Sequence, residues 1–147
     1  DVNVSAGTLD LPATTLSPGA GVAVNGVLFL GGASILAGPT SVHGAGMLRL
    51  EGTSTVSANT TISTATFDWD GLGTGTSHTI NNGVVFTINS STLDSDGDMD
   101  DPVHLGGNGA QLIVNGPASW TQTGIFHANT AAAGTAGSST AIASVDA

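Results

Sequence analysis

Positive charge is almost missing from this sequence. Arg49 is the only Lys or Arg residue; eleven acids oppose it, and the formal net charge is −10. A nucleic-acid backbone or an anionic membrane would repel such a surface, and neutralising phosphates takes cations that the chain lacks. Nucleic acid is therefore excluded as a partner, whereas cations, Ca2+ above all, are permitted. Cysteine is absent too, so no disulfide framework can be read and the redox compartment leaves no trace. Aromatics make up 4% and charged residues 8%, against about 25% charged in ordinary globular chains. No apolar run approaches ~18 residues, so no segment reads as a membrane-spanning helix and no membrane insertion is expected. Helix signals are nearly absent, because no segment keeps an apolar period of about 3.6 over ten residues. The chain begins at Asp1, without Met and inside a strand-like pattern, and reads as a processed or excised piece of something longer.

What is present is glycine, small hydroxyl residues and short apolar alternations. The chain has 147 residues with 22 glycines and 39% hydrophobic residues, enough for one domain with a core. Phrases such as Gly26-Val27-Leu28-Phe29-Leu30-Gly31-Gly32 keep returning. Their leading apolar residues are Leu9, Leu28, Leu48, Phe67, Phe86 and Leu112, with steps of 19, 20, 19, 19 and 26. A near-fixed period in this range marks a repeat architecture. A second series, Val2/Val4, Val22/Val24, Val42, Ile62, Ile80 and Val103/Leu105, runs a few residues ahead of the first. Alternation of period two sends each pair to one face of a strand. Each unit of about 20 residues thus holds two inward-facing strands, and stacking on its neighbours buries what it cannot bury alone. The expectation is an all-β, single-stranded parallel β-helix (β-solenoid) of about six coils of ~19–20 residues.

Asn25-Gly26, Asn82-Gly83 and Asn115-Gly116 open an alternative. Asn-Gly between apolar alternations is a strong hairpin signal, which would give an antiparallel β-sandwich. A sandwich has no reason to hold one spacing through four intervals, so these dipeptides are read as solenoid corners with left-handed residues. The solenoid domain is placed at residues 1–127. Residues 128–147, rich in Ala, Gly, Ser and Thr, form a final coil or a linker.

One interval breaks step and holds Thr92-Leu93-Asp94-Ser95-Asp96-Gly97-Asp98-Met99-Asp100-Asp101-Pro102. It reads as an acidic loop inserted at 92–102. Asp-x-Asp-Gly-Asp here resembles the calcium loops of dockerin and thrombospondin type 3 repeats. The closing bidentate acid of such loops falls on Val103, so the match is partial. Asp94, Asp96, Asp98, Asp100 and Asp101 are the candidate Ca2+ ligands, since this hard cation takes about 6–8 oxygens. The plainer alternative is a solvated acidic loop.

Asp68 and Asp70 flank Trp69. Paired carboxylates about 5–10 Å apart serve glycoside hydrolysis, and an aromatic residue can stack on a sugar. Asp68, Trp69 and Asp70 are therefore the candidate carbohydrate site of an alternative reading, a glycan-binding or polysaccharide-degrading β-helix. With one Arg and no Lys, a lyase active site is hard to assemble, and no catalytic residues are assigned. His43, His78 and His104 occur near corresponding parts of their units, and His127 follows. Stacked coils can bring two histidines together, although no short metal-binding spacing is present. The plainer expectation is of exposed polar residues at corners.

Gly7-Thr8-Leu9-Asp10-Leu11, Gly44-Ala45-Gly46-Met47-Leu48-Arg49-Leu50-Glu51-Gly52 and Asn108-Gly109-Ala110-Gln111-Leu112-Ile113-Val114-Asn115-Gly116 resemble the Gly/Thr/Leu repeats of autotransporter-passenger and related bacterial surface β-helix proteins. The resemblance covers about residues 2–120. It implies a right-handed, extracellular or cell-surface solenoid serving as an adhesin, stalk or fibre segment, without catalysis. Implied partners are neighbouring segments of a longer chain, further copies joined end to end, or glycans.

Overall fold

Short apolar alternations separated by glycine and asparagine produce sixteen strands and, among the described residues, no helix. The computed structural model describes residues 1–38, 41–70, 77–95, 103–105, 109–115, 119–122 and 126–128. The first rung contains β1 (Val2–Val4), β2 (Thr8–Pro12) and β3 (Thr15–Leu16). The second contains β4 (Gly21–Val24), β5 (Val27–Gly31) and β6 (Ser34–Leu36). In the third, one long strand β7 (Ser41–Glu51) does the work of two and is followed by β8 (Ser54–Val56). The fourth repeats this with β9 (Thr60–Asp70) and β10 (His78–Ile80). Then come β11 (Val85–Ile88), β12 (Thr92–Ser95) and β13 (Val103–Leu105), and finally β14 (Gln111–Val114), β15 (Ser119–Gln122) and β16 (Phe126–Ala128).

Every strand pair among the described residues is parallel. The protein is a β-solenoid, and the antiparallel sandwich is overturned. The winding amounts to about four turns, fewer than the six expected. Six strands do stack along one sheet, β3-β6-β8-β10-β13-β16. Counting apolar repeats counts stacked strands, not closed coils, and parts of the last two rungs lie outside the described residues.

Each rung has three strand positions rather than the two expected. The first face stacks β1, β4, the start of β7, the start of β9, β11 and β14. The second stacks β2, β5, the end of β7, the end of β9, β12 and β15. The third is the six-stranded sheet. Its strands β3, β6 and β8 were missed because they are two to three residues long with few apolar positions in each, while Ile80 of β10 and Val103/Leu105 of β13 were grouped with Val2/Val4 and Val22/Val24 in the second series.

The core is built of columns, one residue per rung. Val2, Val22, Val42, Ile62, Ile88 and Val114 form one by strand register. Leu9, Leu28, Leu48, Phe67 and Leu93 form another. The third face supplies Leu16, Leu36, Val56 and Ile80. From the second rung to the fourth, all of these are buried. Each such side chain contributes about 1.5–3 kcal/mol by leaving water. No rung closes over its own apolar side chains, so this stabilisation exists only when rungs stack.

The corner between the first two faces depends on glycine for a reason other than a left-handed backbone. A Cβ on Gly26 would lie 2.3 Å from the Gly7 carbonyl oxygen, and one on Gly46 would lie 2.0 Å from that of Gly26. The backbone itself is in contact there: the Val27 amide donates to Gly7 O at 2.8 Å and the Met47 amide to Gly26 O at 2.9 Å. Gly26 has no positive φ, so the expected left-handed corner is corrected at Asn25-Gly26. Gly83 does adopt one, at φ +69, and fits the expectation for Asn82-Gly83.

Candidate functional site

Alternation along β9 puts Phe67 and Trp69 inside and leaves the residues between them on the outer side of the second face. There the register aligns Asp10, Phe29, Arg49, Asp68 and Asp94 across successive rungs. Glu51 pairs with Asp70 one position along. The chain's single cation thus sits in the middle of its outward acids. Arg49 Nε lies 3.3 Å from Glu51 Oε1 and 3.3 Å from Asp68 Oδ2. Its guanidinium carbon lies 5.7 Å from the centre of the Phe29 ring, within cation–π range. The Asp68 side chain is only 9% exposed, so its charge is largely withdrawn from water and held against Arg49. Chemically this is a clasp joining β5, β7 and β9. A carboxylate held in an ion pair on the strand surface is committed to joining strands.

The candidate sugar site comes apart in this arrangement. Trp69 is 3% exposed and packs in the core, with its ring centre 4.9 Å from Phe67 and 5.6 Å from Phe86. It presents no open ring face for a sugar. Asp68 lies on the other side of the strand, as the alternation requires. Asp70 ends β9, paired in register with Glu51.

Of the candidate calcium ligands, Asp94 lies in β12, where its register partner is Asp68. Asp96, Asp98, Asp100 and Asp101 lie outside the described residues, as do residues 129–147 of the expected final coil or linker. Among the described residues no group of three or more His, Asp or Glu side chains is placed to hold a metal ion.

One cluster escaped the sequence reading. His78 is 3% exposed, which corrects the expectation that the histidines are exposed corner residues. Its Nδ1 and the Ser54 Oγ share a hydrogen bond of 2.7 Å, and its ring stacks on Trp69 at 5.8 Å between centres. Ser34, Ser54 and His78 occupy one inward column, each two residues before a buried apolar residue: Leu36, Val56 and Ile80. That recurrence was the available signal. The serine and imidazole are enclosed by the core, so the pair stabilises the interior and offers no nucleophile to solvent.

The chain matches no family model, no curated protein and no solved structure.

Proposed function

We propose that this chain is a non-catalytic structural or adhesive β-solenoid module of an extracellular surface protein or fibre. One observation carries the reading: among the described residues the apolar columns run in register from rung to rung, the construction of a stiff stack. The outward charges of Arg49, Glu51 and Asp68 are used in holding strands together, which supports scaffolding over chemistry. Among the described residues β1 and β3 end their sheets and β2 pairs only with β5. A strand edge of this kind accepts a further rung, from a neighbouring segment or a second copy. The high negative charge suits a calcium-rich exterior, and Ca2+ at the acidic loop belongs to the same proposal.

Two measurements test it together. Single-molecule pulling on tandem copies should give a cooperative unfolding force for each copy, as expected of a load-bearing module. Incubation with acidic polysaccharides should give no turnover. Turnover that Asp68→Asn abolishes would overturn the proposal in favour of a polysaccharide-degrading enzyme.

A further inference from the structure

Asn-Gly occurs at Asn25-Gly26, Asn82-Gly83, Asn108-Gly109 and Asn115-Gly116, and both residues of the first two are described. Those two are built in opposite ways. At Asn25-Gly26 the Gly26 amide donates to Val4 O at 3.0 Å, and the Asn25 Oδ1 accepts from the Ala45 amide at 3.2 Å. Gly26 also lies hard against the backbone of Ala6 and Gly7. Asn82-Gly83 is instead the tip of the turn from β10 to β11, closed by the Val84 amide donating to Asn81 O at 3.1 Å. Both of its residues are exposed. Gly83 has φ +69, and a Cβ there would meet nothing within 4 Å. Among the described residues no hydrogen bond engages the Asn82 side chain or the Gly83 amide.

We propose that Asn82 is a site of spontaneous covalent modification, at which the side-chain amide is lost to water and the residue becomes aspartate or isoaspartate. The Gly83 nitrogen gives its proton to solvent base and attacks Asn82 Cγ. The new N–Cγ bond closes a five-membered succinimide, the Cγ–Nδ2 bond breaks, and ammonia leaves with a proton taken back from solvent. Water then opens the ring. Breaking the bond from the Gly83 nitrogen to Cγ restores the original chain as aspartate. Breaking its bond to the Asn82 backbone carbon leaves the chain running through Cγ as isoaspartate. The attack needs a nitrogen that can turn and shed its proton, with no side chain in the way. A turn-tip peptide with glycine at the positive-φ place meets that need, because glycine accepts either sign of φ as the peptide flips. The same movement at Gly26 would break its bond to Val4 O and open the contact that seats one rung on the next. Either product adds a negative charge to a chain already at −10. Isoaspartate also lengthens the turn beside Gly109, where a Cβ would lie 3.6 Å from Gly83 Cα.

The test follows the folded protein over days in a mildly alkaline buffer at body temperature, with samples digested by pepsin at low pH and read peptide by peptide by mass spectrometry. Conversion at Asn82 is expected to run at least about tenfold faster than at Asn25. It should quicken as pH rises and yield isoaspartate that an isoaspartyl methyltransferase labels. In the same buffer with enough urea to unfold the chain, the two rates should come within a few-fold of each other. No conversion at Asn82, or equal conversion at Asn25 in the folded protein, would overturn the proposal. So would a preference for Asn82 that persists undiminished in urea, since the local sequence and not the fold would then be its cause. None of these outcomes bears on whether the chain is a scaffold.

Discussion

The first rungs and the later ones solve the same stacking problem with different means. In residues 1–56 successive rungs repeat after 19 or 20 residues, seen in the pairs Leu9–Leu28, Thr14–Ser34 and Asn25–Ala45. The side chains of the core there are Val and Leu, and the corners close through backbone contact at glycine. Beyond residue 60 the step lengthens: Ser54 meets His78 after 24 residues, and Thr64 meets Ser90 after 26. The core in that stretch takes up Phe67, Trp69, His78 and Phe86, with Phe67 and Phe86 edge-to-face at 5.8 Å. The corners change as well. Where glycine stacks on glycine early, later rungs use side-chain ladders, such as Asn115 Nδ2 donating to Asn89 Oδ1 at 2.7 Å. The tight rungs bring glycine backbones into contact at a corner, with Asn25 Oδ1 accepting from the Ala45 amide beside it, and the wide ones add large rings inside and an asparagine–asparagine ladder outside.

This contrast can be broken at both ends. The largest effect is expected at the tight corner. Gly46→Val forces a Cβ into the Gly26 carbonyl, and the loss should exceed about 4 kcal/mol in urea unfolding. A loss under about 1 kcal/mol would show that the corner can open. Next comes the ring cluster, where Phe67→Ala should cost about 3–5 kcal/mol, because the rings of Trp69 and Phe86 cannot collapse into the gap. Third is the buried polar pair. Ser54→Ala removes the partner of the His78 Nδ1 and should cost about 1–3 kcal/mol, read from the same melts. Smallest is the exposed ladder: Asn115→Ala should cost roughly 0.5–1 kcal/mol. Equal losses at Phe67 and Asn115 would erase the distinction between inner and outer support.

The same contrast explains what the sequence made legible. Leu9, Leu28, Leu48 and Phe67 were aligned by spacing alone, and the strands align them so. The next member was misread. Phe86, nineteen residues past Phe67, faces Thr60 on the first face, and the true partner of Phe67 is Leu93. Extending a regular period cannot register a rung that has grown by several residues, because a neighbouring alternation then falls into step by accident. For the same reason Ile80 was grouped with Ile62, although it belongs with Val56 on the third face. Trp69 was read as a sugar-stacking ring although its alternation with Phe67 points it inward, and the Ser54–His78 pair was not legible at all, since polar residues inside a core carry no hydropathy signal.

The solitary arginine has a consequence for how the chain meets a protease. An endopeptidase that cleaves after basic residues has one bond to attack in 147 residues, Arg49–Leu50. That bond lies in β7, hydrogen-bonded on one side to β5 and on the other to β9, and Leu50 is fully buried. To reach it, the enzyme must first pull a central strand out of the stack, so digestion by trypsin-like enzymes waits on unfolding.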